Sequence, residues 1–546
     1  MTVHSLVPRP TSVSARSGRL LIGREATLAT TAGAEAVEPL VREVIGRSTG
    51  FALCRGGEQA TFGLAIDRHL GRLGPEGYRL VVDEQGVRLS ASATAGLRNA
   101  VQTLRQVMGP KIYATSPEPG AIWSLPCVEI EDRPRFAWRG AHLDVSRHFM
   151  PASFLLRFVD LLAMHKLNVF HLHLTDDQGW RFPSRAYPRL TEVGAWRRES
   201  LLGHKGSGRF DGTPHGGAYR REQLAELVAF AAERNVTVVP EIDLPGHTQS
   251  AIAAYPELGN LDEQLEVWTG WGVSDHVLNA EPATLRFCET LLQELLEVFP
   301  SRHVHLGGDE CPTAEWGTSS RARVRAAALG LGEAAELQGW FTSELCGFLR
   351  AAGRVPVGWD EILETGAVPA GAVVMSWRGV GGGVAAAKAG LDTVMCPERP
   401  CYLDHYQSDG PEEPLAIGGC NTLEDVYAYE PVPDDLDPVA AAHVLGSQVQ
   451  LWTEYMPTAA GVEYMAFPRA AAFAEVVWST GTRDIEELRQ RLPAHLERLD
   501  VMDVNYRPLD GPRPWQAGGT GPRRRTPPRG QSADPATDRA AEGARN

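Results

Sequence analysis

From residue 139 onward the chain repeats one unit, a short apolar run followed, for several of the runs, by an amphipathic stretch of helical period. The runs "GAHLDV", "NVFHLHL", "VTVVPEI", "HVHLGG", "VPVGW", "AVVMSW", "DTVMCP" and "VLGSQVQLW" number eight. Strands that alternate with helices pair in parallel, because the crossover helix returns the chain to the same end of the sheet. Eight units over about 370 residues predict an α/β fold, a (β/α)8 TIM barrel with insertions. Helices are expected at 153–167, 221–235, 283–298 and 333–352, and more weakly at 383–390. No helix is evident after the fifth strand and the seventh unit reads as loop, so the barrel is expected to be irregular there.

Residues 1–130 have a different pattern. Strand candidates "GYRLVVD" (77–83) and "GVRLSAS" (86–92) precede a helix candidate at 94–108, which predicts a small α+β domain without a cluster of catalytic residue types. "EDRPRFAWRG" (131–140) reads as the junction, and the barrel domain is assigned to 131–510. Residues 511–546 are rich in Pro, Gly and Arg with little to bury, so that tail is expected to be disordered.

A net charge of −15 argues against nucleic acid or an anionic membrane as partner. No apolar run approaches the roughly 18 residues of a membrane span. The start "MTVHSLVPRP" has no basic segment followed by an apolar core, so a soluble, cytoplasmic protein is expected. The eight cysteines form no C-x-x-C pair, which indicates neither a zinc site nor a disulfide framework. Cys396 and Cys401 are close enough to bridge locally and are read as buried free thiols. No metal or other cofactor is expected.

The polar residues that follow each apolar run carry the functional signal. In chain order they are Asp144 and Arg147; Asp176, Asp177 and Trp180; Glu241, Asp243 and His247; Asp309 and Glu310; Trp359, Asp360 and Glu361; Trp377; Tyr402 and Asp404; Trp452 and Glu454. In a (β/α)8 barrel these positions converge on the C-terminal face, where such folds carry active sites. Asp309 and Glu310 are adjacent, and along a strand adjacent side chains point to opposite faces, so two separate positions in one pocket are expected for them. Gly307 and Gly308 would let a ligand or neighbouring strand approach the backbone. Each tryptophan alone fits core packing as well as a site. Together, Trp359, Trp377 and Trp452 would enclose a compact apolar group beside hydroxyls, as in a sugar bearing an acetamido methyl.

The motifs "DVSRHF" (144–149), "HLHLTDDQGWR" (171–181), "PEIDLPGHT" (240–248), "HLGGDE" (305–310), "GWDE" (358–361), "YLD" (402–404) and "LWTE" (451–454) resemble glycoside hydrolase family 20, the β-N-acetylhexosaminidases. "AFPRAAAFAEVVWS" (466–479) is similar to the family's closing barrel helix, and the first domain is similar to the α+β domain that often precedes this barrel. The resemblance implies retaining removal of terminal β-linked GlcNAc or GalNAc, with the substrate's own acetamide as nucleophile, an exception among glycosidases. It implies Glu310 as general acid, Asp309 as the partner of the acetamide N–H and the oxazolinium, and Tyr402 as hydrogen-bond partner of the acetamide oxygen. Trp359, Trp377 and Trp452 would enclose the methyl, while Arg147, Asp404 and Glu454 would hold sugar hydroxyls. Asp176 and His247 would support the acid. The partner is then a small oligosaccharide or glycoconjugate.

Three rivals stand beside this reading. A metal-dependent hydrolase would use His303, His305, Asp309 and Glu310, although histidines in a strand-like "HVH" more often face a barrel interior. A non-catalytic N-acetyl-sugar-binding barrel would lack the acid, which is present. A conventional retaining glycosidase would need a carboxylate nucleophile such as Glu241 or Glu454.

Overall fold

The computed structural model describes residues 5–518 except 119, 262, 365–367 and 369–370. Eight parallel strands close into a barrel: β1 Trp138–Asp144, β2 Val169–His173, β3 Thr237–Glu241, β4 His303–His305, β5 Val355–Trp359, β6 Val373–Ser376, β7 Thr393–Met395 and β8 Val444–Val449, with β8 pairing back onto β1. Each coincides with one of the eight apolar runs.

Helices Ala152–Met164, Arg221–Glu233, Pro282–Val298, Leu337–Ala351 and Gly381–Lys388 follow β1, β2, β3, β4 and β6 in turn, and bury apolar residues against the barrel. The irregularity also lies where the pattern put it. After β5 there is a single 3-10 turn, Asp360–Leu363, among the described residues. After β7 come only the short segments Glu398–Cys401, Leu423–Ala428 and Pro438–Ala441. Arg469–Trp478, buried along its whole length, closes the barrel after β8.

The barrel interior is unusual in composition. Such interiors are commonly filled by branched aliphatic side chains, whereas here His142, His171, His173, Glu241, His305, Gln448 and Gln450 are all fully buried. Parallel register sets Glu241 beside both His173 and His305, so one carboxylate meets histidines from the strands on either side.

The preceding α+β unit is a seven-stranded mixed sheet. Its central strands Tyr78–Asp83 and Gly86–Ala91 pair antiparallel, and the helix Thr94–Met108 packs Leu97, Val101 and Leu104 against them. The unit is keyed to the base of the barrel by ion pairs, of which Lys166 with Asp132 (2.8 Å) and Arg139 with Glu76 are fully or nearly buried. Most of the expected tail lies outside the described residues. Its first part, 511–518, is held by Gln516, whose amide donates to Asn505 Oδ1 (2.7 Å) and Tyr506 O (2.9 Å), and by Leu415 N, which donates to Gly518 O (3.2 Å). All eight cysteines are free thiols, with Cys396 and Cys401 buried. No helix among the described residues is long and apolar enough to cross a membrane.

Candidate active site

The polar residues beyond the strand ends meet at the C-terminal mouth of the barrel. Beyond β4 the chain leaves strand geometry at His305 and passes through three left-handed residues, Gly307 (φ 66°), Gly308 (φ 91°) and Glu310 (φ 45°). The strand argument for opposite directions therefore does not apply past His305. Asp309 Oδ2 and Glu310 Oε2 both lie 3.8 Å from His247 Nε2. Their surroundings differ, since the Glu310 side chain is 40% exposed and that of Asp309 only 11%.

The glycines do serve close approach, and what approaches is Asp243. Its Oδ1 accepts a hydrogen bond from Gly308 N (2.9 Å) and stands where a side chain on Gly307 would be. Burial, then Asp243 and Glu310, push the Asp309 carboxyl well above its ordinary value. Burial likewise raises Asp243 to about 7, although the nearby His247 works against that.

His247 is held from behind. Its Nδ1 faces Asp176 Oδ1 (3.2 Å), and Asp176 Oδ2 also meets His173 Nε2 and Arg147 Nη2, each at 2.9 Å. Burial would lower the His247 pKa, but Asp176 outweighs it and holds the ring well above its ordinary value.

Arg147 is clamped by Gln178 Oε1, which accepts from its Nε (3.0 Å), and its guanidinium lies over the Trp452 ring (4.9 Å). Asp144 ties two loops together. Its Oδ1 accepts from Ser146 N and Arg147 N, and its Oδ2 from Thr453 N and Oγ1. That bond fixes the chain on which Trp452 and Glu454 sit.

Trp359 is buried and donates from Nε1 to Glu241 Oε1 (3.0 Å), with its ring 6.1 Å from that of Trp452. Trp377 donates to Glu361 Oε2 (3.0 Å) and stacks on Tyr402 (6.3 Å, 29°). Burial, then Asp309, raises the Glu361 pKa to about 8.

Several buried polar atoms at the mouth have no hydrogen-bond partner among the described residues: Asp309 Oδ1, both carboxylate oxygens of Asp404, Glu454 Oε2 and Arg147 Nη1. Buried polar groups are ordinarily paired, and here these atoms are open to hydrogen bonding at the mouth.

The other carboxylate considered as a nucleophile, Glu241, is fully buried in the barrel, with Trp359 and three histidines around its oxygens. The ligand set His303, His305, Asp309 and Glu310 is not assembled. His303 packs edge-on against Trp138 (5.2 Å, 75°), and His305 turns to Glu241. Asp243, His247 and Asp309 do bring ligand atoms within 4.8 Å of one another, a geometry that would admit a cation.

Comparison with known proteins places this geometry in a family. The model for the glycosyl hydrolase family 20 catalytic domain matches residues 136–481, and that for the family's domain 2 matches residues 3–133. The chain belongs to glycosyl hydrolase family 20. It is 41% identical over 448 residues to a beta-hexosaminidase of Porphyromonas gingivalis, covering 82% of this chain and 56% of that one. The chain thus spans little more than half of that relative's length. It is 35% identical to a beta-N-acetylhexosaminidase of Cellulomonas fimi, over 92% of this chain and 95% of the relative. The solved exo beta-N-acetylglucosaminidase of Vibrio harveyi in complex with N-acetylglucosamine aligns with a TM-score of 0.81 at 30% identity, covering 93% of this chain and 79% of that one.

Sequence reasoning placed Asp144, Asp243 and Glu361 at strand ends without giving them site roles, gave Glu241 only the rival role of nucleophile, and passed over His173 and Gln178. The alternation His171–Leu172–His173 was a usable signal, because period two sends both histidines to the same face of β2.

Proposed function

We propose that this family 20 chain is a retaining exo-β-N-acetylhexosaminidase that removes terminal, non-reducing β-linked GlcNAc or GalNAc through an oxazolinium intermediate. One observation carries the reading: a buried Asp309 with an unpartnered Oδ1 lies beside a half-exposed Glu310, both within 3.8 Å of the same His247 nitrogen.

Glu310, open to the leaving group, is the acid that protonates the glycosidic oxygen, a step contributing on the order of 10²–10⁴ in rate. Asp309 accepts the acetamide N–H and, as an anion, stabilises the positive charge that grows on the closing ring. The acetamide oxygen attacks the anomeric carbon from within the substrate, so effective molarity replaces a protein nucleophile. Tyr402 hydrogen-bonds that oxygen, and Trp359, Trp377 and Trp452 enclose the methyl. Arg147, Asp404 and Glu454 take the sugar hydroxyls, which accounts for their unpartnered atoms. Asp176 and His247 orient the acid. The Vibrio harveyi neighbour's bound N-acetylglucosamine supports a sugar of this kind as ligand.

The test is a rate panel of aryl N-acetyl-β-glucosaminides, N-acetyl-β-galactosaminides and β-glucosides, with the anomeric configuration of the first-formed product read by NMR. N-acetyl substrates should react with β product, and glucosides should be nearly inert. Fast glucoside hydrolysis, an α product or a trapped covalent glycosyl-enzyme on Glu454 would overturn the reading.

A further inference from the structure

A carboxylate buried inside a barrel is costly. Replacing a buried ion pair by apolar side chains of similar volume is often neutral or stabilising, so Glu241 calls for an account beyond stability. Its four contacts come from three other strands. Oε1 accepts from Trp359 Nε1 (3.0 Å) and lies 2.9 Å from His305 Nδ1, while Oε2 lies 2.5 Å from His173 Nδ1 and 3.1 Å from His171 Nε2.

His173 then faces carboxylates with both ring nitrogens, Glu241 through Nδ1 and Asp176 through Nε2 (2.9 Å). An imidazole flanked by two carboxylates is bonded on both sides only as the imidazolium. Asp176 passes the chain on to His247 Nδ1 (3.2 Å), whose Nε2 stands 3.8 Å from Asp309 Oδ2 and Glu310 Oε2. One hydrogen-bonded path thus runs from the indole of Trp359 to His247, which stands beside the two carboxylates at the mouth.

Resting on the function proposed above, we propose that Glu241 and His173 are positioning residues for the reaction. They fix the acetamide-facing Trp359 and the acid-supporting pair Asp176–His247 relative to each other through a single buried chain of alternating charge. Around His173 stand His142 from β1 (ring centroids 5.7 Å apart) with Asp144 as its register partner on that strand, His171 on its own strand, Glu241 and Asp243 from β3 and, at one remove, His305 through Glu241 and Arg147 through Asp176. Against burial, Glu241 and Asp176 hold His173 protonated well above the ordinary imidazole range.

The experiment compares Glu241→Gln and His173→Gln with the wild type. Both changes keep bulk and remove charge, so the expected loss falls on the steps that the chain organises. The rate on oligosaccharide substrates should fall about tenfold more than on dinitrophenyl glycosides, a fraction of what a placed acid supplies. Affinity for a thiazoline analogue of the oxazolinium should weaken, and the alkaline limb of kcat/KM against pH should move.

A purely structural role would lower all substrates by one factor and leave the pH limb in place. That result, or wild-type kinetics in folded variants, overturns the proposal. If neither variant folds, ¹⁵N-histidine NMR of the wild-type protein decides. The His173 ring, told apart from the similarly raised His247 by having both ring N–H groups bonded to carboxylates, should stay imidazolium well above the ordinary value near 6.5 and shift when the thiazoline binds; titration of that ring near the ordinary value, or a resonance indifferent to the ligand, overturns the proposal. A wild type inert toward every N-acetyl substrate would instead remove the proposed function itself.

Discussion

Asp243 occupies the space that a side chain on Gly307 would need, with Oδ1 only 1.7 Å from where that Cβ would stand. The same oxygen accepts the Gly308 N–H at 2.9 Å, so the loop that delivers Asp309 and Glu310 is moulded around a carboxylate from the neighbouring strand. Gly307→Ala therefore meets a clash and a left-handed backbone (φ 66°) at once. The substitution should abolish activity and cost about 1–3 kcal/mol from the overpacking alone, read by urea denaturation and by turnover of an aryl N-acetylglucosaminide. An alanine variant with wild-type turnover would mean that the loop is not held this way.

Glu310 is exposed enough to meet a leaving group, and its proposed work depends on how badly that group needs a proton. Glu310→Gln should slow oligosaccharides by roughly 10²–10⁴ while sparing dinitrophenyl glycosides. The ratio of the two kcat values measures this directly, and equal losses would remove Glu310 from the role.

The three tryptophans should separate in stability. Trp359 is 1% exposed and hydrogen-bonded inside the barrel, so Trp359→Ala should cost about 3–5 kcal/mol. Trp377 is only partly buried, and its replacement by Ala should cost less stability while weakening binding of N-acetyl sugars. Denaturant midpoints together with KM for N-acetyl substrates distinguish the two. A Trp377→Ala enzyme with unchanged KM and kcat would take that ring out of the pocket.

Asp309 acts in the proposed mechanism only as an anion, yet burial, Asp243 and Glu310 raise its pKa. A carboxyl that must be ionised and titrates high loses its active form early as pH falls. The acid limb of kcat/KM should therefore lie well above the ordinary aspartate value of about 3.9. Asp243→Asn removes one neighbouring negative charge, which should move that limb to lower pH. Limbs near pH 4 in both enzymes would show that Asp309 titrates as an ordinary carboxylate.

Asp309→Asn keeps the size of the side chain and removes the anion. It should lower kcat by roughly 10²–10³, the scale for losing one preorganised electrostatic partner. N-trifluoroacetyl substrates, whose carbonyl oxygen is a weaker nucleophile, should slow the wild type steeply. An unchanged rate across the acyl series would mean that the acetamide does not attack.

The sequence by itself determined the barrel, because periodicity and strand–helix alternation are local: each of the eight apolar runs needs only its own residues to be a strand. It also determined which side chains stand at the mouth, since whatever follows a barrel strand falls on one face. Tertiary structure decided what those residues do to one another. Asp309 and Glu310 converge on one histidine because left-handed residues bend the chain past His305, which strand alternation could not foresee. Glu241, a strand-end carboxylate like the others in sequence, sits inside the barrel because register places it between His173 and His305. Its pairing with Trp359 spans 118 residues. Contacts of that kind depend on barrel closure, and no local pattern encodes the angle at which distant strands bring their side chains together.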